Sequence, residues 1–210
     1  RSTLFPYTTL FRSRDFYAIT LIFPKTYLYF IEFLYICAMD WLKYLIVWLS
    51  RLNHSRGFGI QSPSDYWFVR YVINEHWPYY QYEGLGQNDD WLTRKLGRLY
   101  FRLANWRQPA IIDSDDYRKY MQAGCKRVIF GDSSEMIRLT LEGDYHRHLI
   151  SIYNKVKDDT VLIVEGIGRD ADFWRELTED ERVRVTYDLY YCGIVLFNKK
   201  RHKQNYIINF

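Results

Sequence analysis

An α/β fold with a shortened, mostly parallel sheet is what this chain predicts, with helices ahead of the sheet and antiparallel strands closing it. Three observations carry that reading. Between residues 110 and 177 short strand-like runs alternate with helical ones, the pattern of crossover connections onto a parallel sheet. Within that stretch Val161-Leu162-Ile163-Val164 is apolar at every position, as a strand covered on both faces must be. Residues 183–210 then read strand, turn, strand, turn, strand.

Taken in order, residues 39–52 lack Gly and Pro and are apolar apart from Asp40, Lys43 and Ser50, which predicts a helix that something must cover: the rest of the domain, a second copy, or a membrane surface. Gly57 and Gly59 break it. Ser62-Pro63-Ser64-Asp65 is a helix start, with a hydroxyl cap, proline at the first helical position and a carboxylate three residues on, and the helix should run to about residue 75. In residues 90–106, Leu92, Leu96, Leu99 and Leu103 repeat at helical spacing and mark a buried stripe. Arg94, Arg98 and Arg102 form a second row, read as a solvated face rather than a phosphate or acidic-partner site. The dense Trp and Tyr of residues 41–106 are read as packing of a helical layer rather than a ligand cage.

After Pro109 the expected elements are strand 110–113, helix 117–123, strand 127–130, strand 136–142, helix 145–156, strand 160–165 and helix 171–177. Residues 199–203 form a charged turn in the closing strands.

The wording of the tail, Thr186-Tyr187-Asp188-Leu189-Tyr190-Tyr191-Cys192-Gly193-Ile194-Val195-Leu196-Phe197-Asn198 and then Lys203-Gln204-Asn205-Tyr206-Ile207-Ile208-Asn209-Phe210, resembles the closing strands of a group of bacterial methyltransferase-like proteins, found mainly in Bacteroidetes. His54-Ser55-Arg56-Gly57-Phe58-Gly59-Ile60-Gln61-Ser62-Pro63 resembles their N-terminal signature. The likeness spans 39–210 and is weakest over 113–135. It implies a Rossmann-like, methyltransferase-type fold and an S-adenosylmethionine cofactor. In that family the first strand is followed by an acidic residue and a Gly-x-Gly turn that lets the backbone approach the cofactor. Here the place reads Ile111-Ile112-Asp113-Ser114-Asp115-Asp116-Tyr117, with no glycine before Gly124, and residues 114–135 leave room for about one helix and one strand.

The expectation is therefore a truncated fold with an eroded cofactor site and a binding or structural role, no cofactor being expected. The alternative is an active S-adenosylmethionine-dependent methyltransferase with a rebuilt pocket for a small hydroxylated substrate. If a cofactor site survives, Asp113, Asp132 and Glu142 are its candidates, and Asp113 should then approach Glu142 and Glu165 around a cavity. Glu142-Gly143-Asp144-Tyr145 and Glu165-Gly166 stand where the family resembles Asp-Gly-Asn-His and Asp-Asp, positions that hold Mg²⁺ in related enzymes. Glu142 and Glu165 keep the charge, but Gly166 and Tyr145 remove the other ligands, so no metal is expected. Asp113, Asp132, Glu142, Asp144 and Glu165 could gather at one sheet edge to hold a cationic or hydroxyl-rich ligand; the alternative is that the aspartates cap helices.

Thr3-Leu4-Phe5-Pro6-Tyr7-Thr8-Thr9-Leu10-Phe11-Arg12-Ser13 is similar to the translation of a common DNA-sequencing adapter, and Met39 is the first methionine. Residues 1–38 are therefore expected to be a non-native leader, residues 39–106 a helical layer and residues 107–210 the sheet domain, with 39–210 one globular unit. Lys25, Glu32, Asp40 and Lys43 interrupt the apolar run, so no transmembrane segment is expected; a membrane-peripheral role through 39–52 is a further alternative. From Met39 onward 25 basic residues face 23 acidic ones, which does not mark a nucleic-acid binder. The scattered Cys37, Cys125 and Cys192 exclude a disulfide framework and a zinc site and point to the cytoplasm. Self-association is expected, if at all, through the 39–52 helix or the C-terminal edge strand. Ser-His-Asp, Cys-His, P-loop and His-Glu-x-x-His patterns are absent, so hydrolase readings have no support.

Overall fold

A computed structural model describes Leu42 and residues 44–210; the expected leader and Met39 lie outside the described residues. The chain divides into two compact units, Arg1–Leu49 and Ser50–Phe210. In the first, residues 44–49 are helical, within the helix expected over 39–52. All that follows belongs to the second.

Helix α1, Pro63–Phe68, starts at the Ser62 cap, whose side chain accepts from the Asp65 amide at 3.4 Å. It does not continue as α-helix to 75. Residues Val69–Ile73 form a π turn instead, closed by the Asn74 amide donating to the Val69 carbonyl. Helix α2, Trp91–Arg107, is capped by Asp90 and buries Leu96, Leu99 and Leu103 as the stripe predicts. Its arginine row is not a solvated face. Arg102 is buried and donates to the Val72 and Ile73 carbonyls at 2.6 and 2.8 Å, and Arg94 donates to the Gly86 and Asp89 carbonyls. These guanidinium groups hold carbonyls at the end of the π turn and in the 79–89 loop.

The sheet elements are β1 Ile111–Asp113, β2 Ile129–Phe130, β3 Met136–Thr140, β4 Val161–Glu165, β5 Val185–Asp188, β6 Cys192–Leu196 and β7 Gln204–Ile207, with α3 Arg118–Gly124, α4 Tyr145–Lys155 and α5 Ala171–Glu179 between them. They form one seven-stranded sheet in the order β2-β1-β3-β4-β6-β5-β7. Every neighbouring pair is parallel except the two that involve β6.

The closing strands were expected to be antiparallel, and one is not. β6 is held on both sides by β4 and β5, so β7 can add only to the free edge of β5. Having reversed after β6, it runs parallel to β5. The connection from β2 to β3 is also unusual, five residues without a helix where parallel crossovers need about a dozen. It is possible because Phe130 and Met136 both register with Ile112, so the chain has no length of sheet to travel back along.

Helices cover both faces. Val161 and Ile163 of β4 join one core with Leu99, Leu103 and Met121, while Leu162 and Val164 join the other with Phe173, Trp174 and Leu177. That two-sided burial is what the unbroken apolar run of β4 required.

Candidate functional site

Strand order turns back at β1, which has β2 on one side and β3 on the other. In open α/β sheets the crevice beyond the carboxyl ends of strands at such a reversal is the expected ligand site. Here β1 stops early. Asp113 registers with Ile137, three residues short of the Thr140 end of β3, or about 10 Å at ~3.3 Å per residue. The residues that climb that distance pack against the floor of the crevice, and a groove stays open above them.

Tyr117 sits in the left-handed region with φ of 56°, a conformation a glycine would adopt more cheaply. Its ring meets Tyr100 edge-on at 4.8 Å between centroids, and the Arg138 guanidinium lies over it at 5.1 Å. Arg138 Nε donates to Glu165 Oε2 at 2.7 Å, and the fully buried Tyr100 hydroxyl donates to the same oxygen at 2.8 Å. A second Arg138 nitrogen reaches Asp116 at 3.1 Å. The Arg138 and Glu165 side chains are 7% and 17% exposed, so this is a largely buried ion pair reinforced by the Tyr100 hydrogen bond. Burial works to lower the Arg138 pKa, but the Glu165 hydrogen bond and charge push it above its ordinary value. Burial, and then the Glu165 charge, push the Tyr117 phenol up. Above the network lies an open groove of ≈ 630 Å³ that includes Glu142 and Glu165 in its lining but not Asp113.

The sequence candidates do not converge. Asp113 and Asp132 share Lys155, with Asp113 Oδ2 at 3.0 Å from Nζ. Their hydrogen bonds hold Lys155 above its ordinary pKa although burial opposes them. Glu142 pairs with Arg169 at the surface, and Glu165 pairs with Arg138. Asp144 caps α4 through the Arg147 amide, so the gathering of all five carboxylates at one edge is corrected to three separate ion-paired positions, Asp113 with Asp132, Glu142 and Glu165, and a cap. The physical reason is the low end of β1, which sends Asp113 to the end of α4 instead of upward. Among the described residues no group of three or more His, Cys, Asp or Glu is arranged to hold a metal ion. Gly166 has φ of +81°, where a side chain would be strained.

Sequence reasoning missed Tyr100, Tyr117 and Arg138. Arg138 had a signal: it is the lone charge within Met136-Ile137-Arg138-Leu139, a strand otherwise built for burial, and a charge there needs a partner. Asp65 also does more than mark the helix start. It is buried, accepts from the Tyr187 and Tyr206 hydroxyls at 2.6 and 3.1 Å and pairs with Arg201, so it ties α1 to β5 and β7.

No family model, curated protein or solved structure matches the chain.

Proposed function

We propose that this chain is a methyltransferase-like protein whose S-adenosylmethionine cradle has closed, and that it serves as a binding or structural protein instead of transferring methyl groups. The observation that carries this reading is the Tyr117 ring, packed between Tyr100 and Arg138 in the crevice where a nucleoside would have to enter. Three further features support it. The loop after β1 has no glycine, Asp113 is neutralised by Lys155 about 10 Å below the end of β3, and Glu165 is committed to Arg138 and Tyr100. An active enzyme with a rebuilt pocket needs Asp113 beside Glu142 and Glu165, an arrangement this register opposes. The test is a calorimetric titration of the full chain with S-adenosylmethionine and S-adenosylhomocysteine. The expected result is no saturable heat with either compound; micromolar binding of either overturns the proposal.

A further inference from the structure

On the opposite side of α2 from the sheet crevice, residues 73–83, α2 and Phe210 line a second, open cavity of ≈ 750 Å³, within the size range of small-molecule sites. Three observations there point the same way. Its rim carries large aromatic surfaces: Trp77, Tyr80 and Trp91 are 73%, 92% and 53% exposed. Its wall carries cations without counter-charges. Lys95, Arg98 and Arg102, on successive turns of α2, form no ion pair within 4 Å among the described residues, in a molecule where twelve such pairs occur.

Lys95 Nζ lies over the rings of Trp91, Tyr191 and Phe210 at 5.0, 5.5 and 4.5 Å, and the Arg98 guanidinium lies over Tyr82 at 4.9 Å. The acidic residues in the lining are Glu75, which accepts from the Tyr79 hydroxyl, and Glu83. Third, two buried donors on this wall have no acceptor, Asn74 Nδ2 and Arg98 Nε. Each such group is destabilising while unpaired. Only one other unpaired buried side-chain atom occurs among the described residues, Arg184 Nε, and it lies elsewhere.

Aromatic faces offer stacking to a planar ring, and uncompensated cations beside orphaned donors offer an anion both charge and hydrogen bonds. We infer that this cavity binds a small planar aromatic anion, an aryl carboxylate or aryl phosphate, with its ring against Trp77 and Trp91 and its anionic group between Lys95, Arg98 and Asn74. The near-neutral balance of the chain gives no broad basic field, which favours a small ligand over a polyanion. The burial that depresses the Lys95 pKa to about 8 is consistent with a cation lacking its partner.

The test is calorimetric titration of the full chain with phenyl phosphate and with 2-naphthoate, against inorganic phosphate and benzyl alcohol as the isolated halves of the ligand. At least one aryl anion is expected to bind at least tenfold more tightly than either half, and Lys95→Gln and Trp77→Ala each to weaken it at least tenfold. Trp77 is exposed enough that its variant tests binding independently of folding, which urea unfolding of both variants checks. The inference is overturned by no saturable heat from either aryl anion up to about 10 mM, by inorganic phosphate binding as tightly as phenyl phosphate, or by a folded Trp77→Ala protein that binds as wild type does. S-adenosyl compounds are absent from the experiment, so its outcome is independent of the closed-cradle proposal.

Discussion

Asp65 is 3% exposed and sits in an ion pair: Arg201 and two tyrosine hydroxyls surround its carboxylate. Removing one partner of such a pair strands the other, so Asp65→Ala should cost about 3–5 kcal/mol in urea unfolding, with Asp65→Asn retaining part of it through the tyrosine bonds. The same rule separates the two glutamates singled out from the sequence. Arg138→Ala leaves Glu165 buried and unpaired and should also cost about 3–5 kcal/mol. Glu142→Ala breaks a pair whose side chains are 66% and 62% exposed and should change stability by about 1 kcal/mol or less.

Lys95 adds a pH dependence. Burial first, and then the Arg102 charge, hold its pKa at about 8. In the unfolded chain it is ~10.4. Below pH 8 both states are protonated and the folded state carries the full penalty. Between these values the unfolded chain holds a proton that the folded one has released, so stability rises with pH through this window. The shift is worth about 3 kcal/mol, less what the three aromatic faces return to the charged form. Relative to Lys95→Met, wild type should therefore gain about 1–3 kcal/mol between pH 7 and pH 10; parallel stability curves for the two proteins would refute this.

At the scale of elements, close approaches of backbone set the tolerances. A Cβ on Gly124 would sit 2.2 Å from the Phe101 carbonyl oxygen, so Gly124→Ala must push α3 away from α2, at about 1–3 kcal/mol for overpacking. Gly143→Ala meets nothing within 4 Å and is strained only by its φ of +65°, a smaller effect that unfolding midpoints of the two variants would rank.

Elements of this kind were largely legible beforehand. The apolar run of β4, the leucine stripe of α2 and the Ser62-Pro63 start each state a local rule, and local rules survive folding. Long-range register was not legible. Nothing in Asp113 says that β1 ends three residues below β3, nothing in Arg102 says that it will hold a π turn's carbonyls, and nothing in residues 204–207 says which edge β7 will join. Those outcomes depend on which neighbours are already taken, and a single strand does not record that. The candidate site suffered most, because it was argued from strand ends assumed to be level.

For the whole molecule, the sheet keeps the layout in which ligands bind at a strand-order reversal, but it uses that place for packing. The Arg138–Glu165 pair with its two tyrosines forms the floor of an open groove there, while α2 carries an aromatic, cationic cavity on its other side. Among the described residues no helix is long and apolar enough to cross a membrane. The central claim is that the Tyr117 ring occupies the floor of the space beyond β1 and β3, beneath the open groove. A crystal structure grown with millimolar S-adenosylhomocysteine tests it most directly. The account predicts the Tyr117 ring in that space, edge-on to Tyr100 beneath Arg138, with no ligand there; an adenosine ring in its place, with Tyr117 swung outward, would contradict it.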